Sequence, residues 1–259
     1  MRRPTRPAIA LAAVLATVPV TLTSADLASG GGAPAAVAAA TKTRAAASVT
    51  SAALATAAPP SSILGVEPGA SVALRSRPGG PVALRLGDRT EFGSPRRLGV
   101  VERRGRWLGV TTPALPNGTL GWIDRRAPSV RIRATRWAIS ADLSSRTVVL
   151  RRGGEPVRRL SVAVGRPGSP TPIGRFAVKD KLSGSDYGPY YGCCILALSA
   201  TQPNLPRGWT GGDRMAIHGA SDPSSVGAAA SAGCLRASDR DLTFLMDRVP
   251  VGTPVTIRR

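Results

Sequence analysis

From Ile63 onward the apolar residues come in short runs, and each run is cut by glycine, proline or another turn former. Val72-Ala73-Leu74-Arg75 stops at Arg77-Pro78-Gly79-Gly80, and Val82-Ala83-Leu84-Arg85-Leu86 stops at Gly87-Asp88. Leu98–Val101, Trp107–Val110 and Gly121–Ile123 follow in the same style. Runs this short cannot carry a buried helical stripe, whereas they suit strands joined by tight turns. The punctuation continues through Trp137–Ser140, Thr147–Leu150, a turn at Gly153-Gly154, Leu160–Val164 and Gly174–Val178. One helical period breaks it. Leu242, Leu245, Met246 and Val249 sit at 0, 3, 4 and 7 behind a cap-like Ser238…Asp241, and Pro250 closes the element. Val255-Thr256-Ile257 then supplies a last strand. The expected fold is mainly β, with a small barrel over 63–127 and a β-rich domain over 133–259 that carries one clear C-terminal helix.

The first 62 residues read differently. Arg2, Arg3 and Arg6 precede an apolar stretch of 16 residues, Pro7 to Leu22, and small residues follow at Thr23-Ser24-Ala25. That order is the grammar of an export signal over 1–25, and the run is short for a membrane span. The segment is either cleaved or kept as an uncleaved membrane anchor. Residues 26–62 are Ala, Ser, Thr, Gly and Pro with almost no large apolar side chain, which makes them a flexible tether.

The chain is strongly basic, with 35 Lys+Arg against 15 Asp+Glu and a formal charge of +20. Cleavage after Ala25 removes three positive charges, leaving 20 − 3 = +17. For an exported bacterial protein, the polyanions at hand are anionic wall polymers and phospholipid head groups. Nucleic acid is not the expected partner, because only ten aromatics (four Trp, three Tyr, three Phe) are available for base stacking and no recognition motif accompanies the charge. One His and three Cys exclude Cys₂His₂ and Cys₄ zinc sites by inventory. No cofactor and no metal are expected.

The chemistry concentrates near the C-terminus. The sole histidine, His218, ends the apolar run Met215-Ala216-Ile217 and is followed by Gly219; sixteen residues on comes Ser231-Ala232-Gly233-Cys234-Leu235-Arg236. A cysteine just ahead of a helix gains thiolate character from the helix N-terminus, and a glycine beside it lets backbone N–H groups aim at an oxyanion. Each residue alone also fits an ordinary core or surface role. Cys193 and Cys194 either stay reduced or form a strained vicinal disulfide; free thiols buried in a strand are expected, since adjacent Cα atoms lie below the usual disulfide separation.

Two motifs together resemble the L,D-transpeptidases, which cross-link bacterial peptidoglycan. They are His218-Gly219 followed by Ser231-x-Gly233-Cys234-x-Arg236, and upstream Val164-Gly165 with Thr171-Pro172-x-Gly174-x-Phe176. The resemblance covers roughly 133–259. The segment 63–127 resembles a bacterial SH3-like domain, with Arg104–Val110 and Gly121–Ile123 as its later strands. Many transpeptidases carry a second histidine where this chain has Ala232.

The first resemblance implies an exported cysteine transpeptidase acting on donor and acceptor stem peptides of peptidoglycan to form 3-3 cross-links. Cys234 would be the nucleophile and His218 its base, with the Gly219 carbonyl orienting the imidazole. The N–H of Cys234, with that of Gly233 or Ala232, would hold the oxyanion. Ser231 would shape the turn or touch the substrate through its hydroxyl. Arg236 would hold the turn through backbone carbonyls or bind a substrate carboxylate. Tyr190, Tyr191 and Trp209 fall in a loop-rich aromatic window that either walls a substrate groove or forms a satellite core. An L,D-carboxypeptidase, transfer to another acceptor, and a non-catalytic wall-binding module stay open as alternatives.

Overall fold

The computed structural model describes residues 61–210, 212–220 and 222–259. The export signal at 1–25 and nearly all of the 26–62 tether lie outside the described residues.

The turn-punctuated N-terminal half forms one antiparallel sheet of seven strands. These are β1 (Ser61–Val66), β2 (Ser71–Arg75), β3 (Val82–Gly87), β4 (Arg97–Arg104), β5 (Trp107–Val110), β6 (Gly121–Asp124) and β7 (Val130–Thr135), ordered β3-β2-β6-β5-β4-β1-β7. Alternation decides which face is core. Leu64, Val66, Val72, Leu74, Leu98, Val110 and Ile123 point inward as one buried cluster. The boundary read from sequence at 127 and 133 moves here. β7 pairs with β1 along its whole length, Ser61↔Thr135 through Val66↔Val130, so the first sheet runs to Thr135. Its Arg-rich sequence hid it, because alternate Arg side chains leave no apolar run to see.

The second half adds β8 (Trp137–Asp142), β9 (Thr147–Arg152), β10 (Glu155–Ser161), β11 (Val164–Gly165), β12 (Gly174–Ser183), β13 (Cys194–Thr201), β14 (Arg214–His218), β15 (Ala229–Ser231), β16 (Leu235–Arg236) and β17 (Pro254–Arg258). Eight of them form a sheet in the order β10-β9-β8-β17-β12-β13-β14-β16, while β11 and β15 pair separately. β8 and β9 are the first two strands of the expected antiparallel meander, and its third, β10, runs Glu155–Ser161 where Leu160–Val164 was expected. Two pairs are parallel, β17 with β8 and β14 with β16, so residues 219–234 form a crossover above the sheet. Helix α1 (Asp239–Arg248) is capped by Ser238, whose Oγ accepts the Asp241 N–H at 3.2 Å. Leu242, Leu245 and Val249 bury its apolar face with Leu196, Leu198 and Ile217 of the sheet.

The two sheets share a polar interface. Gly99 of β4 lies so close to Ala177 that any side chain there would collide with it. The Thr111 and Ser199 hydroxyls meet at 2.8 Å, and Asn117 Nδ2 donates to Thr201 O at 2.6 Å. At the centre Lys179 Nζ reaches Asp180 Oδ2 at 2.6 Å and Glu91 Oε2 at 2.8 Å. Thr90 Oγ1 donates to the second Asp180 oxygen at 2.6 Å. Lys179 and Asp180 are 3% and 0% exposed, so these charges depend on one another.

Lys179→Met keeps the volume and leaves the Asp180 carboxylate buried without its cation. We expect a loss of about 3–5 kcal/mol of unfolding free energy, the range for a broken buried pair. Urea titration followed by tryptophan fluorescence checks it. An unchanged midpoint would show that this cluster does not stabilise the fold.

Candidate active site

Cys234 sits in a turn held at both ends. Before it, β15 pairs in parallel with β11, Val164↔Ala229 and Gly165↔Ser231. After it, β16 pairs with β14, Ile217↔Leu235 and His218↔Arg236. The turn is closed by Ser231, which is fully buried: its Oγ–H donates to Cys234 O at 2.6 Å and its oxygen accepts the Gly233 N–H at 3.0 Å. Gly233 has φ +123°, a conformation open to glycine and costly for any other residue. A Cβ there would also strike Gln202 Nε2.

Two further side chains tie this turn to the upstream loop. Thr171 Oγ1 accepts the Gly165 N–H at 2.8 Å and donates to Gly233 O at 2.7 Å. Gln202 Nε2 donates to Pro170 O and to Ala232 O, both at 3.0 Å. Four bonds from two buried polar side chains thus lock the loop before β12 onto the turn that carries the thiol.

His218 is wholly buried at the end of β14. Its Nδ1 lies 2.6 Å from Gly219 O, and since a carbonyl only accepts, Nδ1 carries the proton. Nε2 is then a bare lone pair, buried and without a hydrogen-bond partner. Tyr190 and Tyr191 pack against the ring with centroids 5.4 Å and 5.0 Å away. Burial, with a smaller push from Arg236 and against the Gly219 hydrogen bond, lowers the His218 pKa to about 4. Cys234 is partly exposed as a residue and is the one free cysteine. Desolvation raises its thiol pKa, opposed by a backbone hydrogen bond from Ala216 and by the Arg236 charge. At neutral pH the two groups are therefore imidazole and thiol, not an ion pair. The sulfur lies 4.0 Å from Arg214 O and is not bonded to Nε2. Proton transfer requires the sulfur and Nε2 to come within hydrogen-bond reach, a contact the resting site does not make.

An open groove of about 330 Å³ ends at Cys234, walled by Leu182, Tyr187, Tyr191 and Arg214 and, from the N-terminal sheet, by Glu91 and Phe92. A narrower recess on the other side of the sulfur is lined by Tyr190, Gln202, Leu205, Trp209 and Ala232. Burial pushes the Glu91 carboxyl up, but Lys179 and Arg214 outweigh it and hold its pKa at about 2. Arg214 Nε meets Glu91 at 2.9 Å, and Phe92 stands edge-on to Tyr187 at 6.0 Å.

Residues 136–257 match the family model for YkuD, described as an L,D-transpeptidase catalytic domain. That segment is therefore similar to YkuD-type L,D-transpeptidase catalytic domains. Over 123 residues the chain is 30% identical to YkuD of Bacillus subtilis (strain 168) and 32% identical to YkuD of Bacillus licheniformis, 47% of this chain and 65% of each relative. The chain thus spans just under two thirds of the length of these relatives. An L,D-transpeptidase from Mycobacterium smegmatis is similar in structure at 18% identity and a TM-score of 0.41, over 78% of this chain and 100% of that one.

Four expectations change within residues 136–257. Cys193 and Cys194 form a disulfide with each other, their Cα atoms 3.7 Å apart, so neither is a free thiol and neither pairs with Cys234. Cys234 does not sit at the helix N-terminus: β16 and the Ser238 cap intervene, and burial raises its pKa where the dipole was expected to lower it. The Gly233 N–H is spent on Ser231 Oγ, so of the expected oxyanion donors only the N–H groups of Ala232 and Cys234 stay as candidates. Arg236 uses side-chain hydroxyls and not backbone carbonyls, reaching Ser225 Oγ and Tyr190 OH at 3.1 Å each and lying over the Tyr190 ring. It therefore braces the aromatic wall beside the imidazole.

Gln202, Glu91 and Phe92 had no sequence signal. Gln202 follows a strand and precedes a proline, and Glu91-Phe92 lies in a turn 143 positions before Cys234 in the numbering. Thr171 was visible within its motif, but its bond to Gly233 was not.

Two pH experiments follow from the neutral pair. Unfolded His218 protonates near 6.5, whereas in the fold it resists until about 4. The unfolded chain then binds more protons between these values, so stability falls with acid across that window, by about 3 kcal/mol from this group. His218→Gln lacks this component, and urea unfolding of both proteins at pH 7 and pH 4 checks it; identical acid sensitivity would refute it. Iodoacetamide labelling of Cys234 should accelerate with pH up to a midpoint above the usual thiol value of about 8.5. A plateau across neutral pH would instead reveal a thiolate–imidazolium pair.

Proposed function

We propose that the chain is an exported cysteine L,D-transpeptidase that forms 3-3 cross-links between peptidoglycan stem peptides. The observation that carries this reading is the physical lock between the two motifs: Thr171 and Gln202 hold the Cys234 turn against the upstream loop, with a buried, oriented and unprotonated His218 one strand away.

The chemistry follows from the proton states. A donor peptide in the groove brings its carbonyl over Cys234. His218 Nε2 takes the thiol proton as the sulfur bonds to the carbonyl carbon, and the charge that develops on oxygen falls to the N–H groups of the turn. Collapse breaks the C–N bond, and the terminal D-amino acid leaves with the proton held by His218. The acceptor amine then attacks the thioester, gives a proton to His218, and the sulfur departs to recover it as thiol. The imidazole ends each cycle neutral, as its burial favours.

The N-terminal seven-stranded sheet carries the SH3-like resemblance and adds Glu91 and Phe92 to the groove. The basic, apolar, small-residue order of residues 1–25 supports export, with the segment either cleaved or retained as an anchor. Stem peptides and anionic wall polymers are the partners this placement offers.

Incubation with a carbapenem or a tetrapeptide donor should add the corresponding mass at Cys234, and Cys234→Ala should add none. His218→Gln should slow acylation by roughly 10²–10⁴-fold, the usual worth of a general base. An unmodified wild-type mass would remove the proposal. Products formed with and without a diaminopimelate-type amine separate cross-linking from hydrolysis.

A further inference from the structure

A recess larger than either of those at Cys234 lies elsewhere. It is a cavity of about 510 Å³ on the outward face of β1, roofed by Pro250 and Val251 of the loop between α1 and β17. Register explains its lining. Residues directly opposite in antiparallel strands share a face. Gly65 lies between Arg97 of β4 and Arg131 of β7, and Ile63 lies between Gly99 and Arg133. All six therefore face away from the Leu64 and Val66 core. The Ile63 row is filled, because Ile63 packs against Gly252 and Gly99 against Ala177. The next row is open because Gly65 has no side chain, and the Arg97 guanidinium lies across it, where any Cβ would displace it.

Three guanidinium groups thus face one hollow. Glu67 is the one carboxylate in the lining and is paired with Arg131 at 3.1 Å, so three positive charges less one negative leave +2. Among the described residues neither Arg97 nor Arg133 has a carboxylate within ion-pair distance. The sixty residues before β1 contain a single acidic side chain, Asp26, so that stretch of sequence has little negative charge to offer.

We propose that this cavity binds a phosphodiester group of a polyol-phosphate wall polymer. A planar carboxylate is saturated by one forked guanidinium, whereas a phosphate presents acceptor oxygens on several sides and can be gripped from both flanks of β1 at once. The volume falls in the range of small-molecule sites, roughly 300–1,000 Å³, and the cavity lies at a domain interface where such sites concentrate. Its recess between a strand row and a loop admits a single chain and not the flat face of a bilayer. The choice of a wall polymer rests on the wall-facing reading above; the anion site itself does not.

The test uses the full chain at physiological ionic strength. Binding of a short poly(glycerol phosphate) is measured by calorimetry for wild type, for Arg97→Gln/Arg133→Gln, and for Arg85→Gln/Arg126→Gln, which removes the same charge from exposed sites elsewhere. We expect saturable one-to-one binding, weakened at least tenfold by the first pair and less than twofold by the second. Arg133→Glu, which turns an exposed lining charge negative, should weaken binding as the first pair does and guards against a folding artefact. Equal loss in both arginine pairs would mean diffuse attraction and overturn the site. Tighter binding to phosphatidylglycerol vesicles than to the polymer, lost in the first pair, would overturn the polymer in favour of a lipid surface. Acylation of Cys234 should be unchanged in all these variants, so failure here is distinguishable from failure of the transpeptidase reading.

Discussion

A single glycine in a left-handed conformation holds together the turn that carries Cys234. Gly233 brings the chain around tightly enough for Ser231 to bridge its own turn, and presents its carbonyl to Thr171. Gln202 fills the space where a side chain would be. Buried hydrogen bonds of this kind cost most when half made, since an orphaned partner loses its solvation without return. The loop before β12, the end of β13 and the cysteine turn are therefore positioned as a set, and no member can shift alone.

The second constraint is electrical. Burial favours the neutral form of both reacting groups, and the lower pKa of His218 and higher pKa of Cys234 have that one cause. Both groups therefore rest uncharged at neutral pH, with no ion pair between them. The Gly219 carbonyl fixes which ring nitrogen receives the proton, so orientation comes from backbone and needs no third side chain.

Much of this was legible in the sequence, and the limits have physical reasons. Strands with apolar alternation, the capped helix and the His-Gly and Ser-x-Gly-Cys motifs were readable because each is encoded locally. β7 was not, since its outward face is arginine and the strand is specified by pairing with β1. The Cys193–Cys194 bond was missed because a general distance preference was applied to a pair whose separation is set by one peptide unit. The thiol's pKa was misjudged in sign because a helix start nearby in sequence is not nearby in space once two strand residues intervene. Glu91, Phe92 and Gln202 reach the site through tertiary packing alone, and nothing in their own neighbourhoods marks them.

The loop carrying Glu91 and Phe92 belongs to one sheet and serves the groove of the other. A chimera that grafted this catalytic half behind an unrelated leading domain would have an unfilled gap in its substrate channel and a lysine with half its counter-charge missing. Removing the Glu91 carboxylate would therefore disturb the wall of the groove and the interface between the sheets together, through Arg214 on one side and Lys179 on the other.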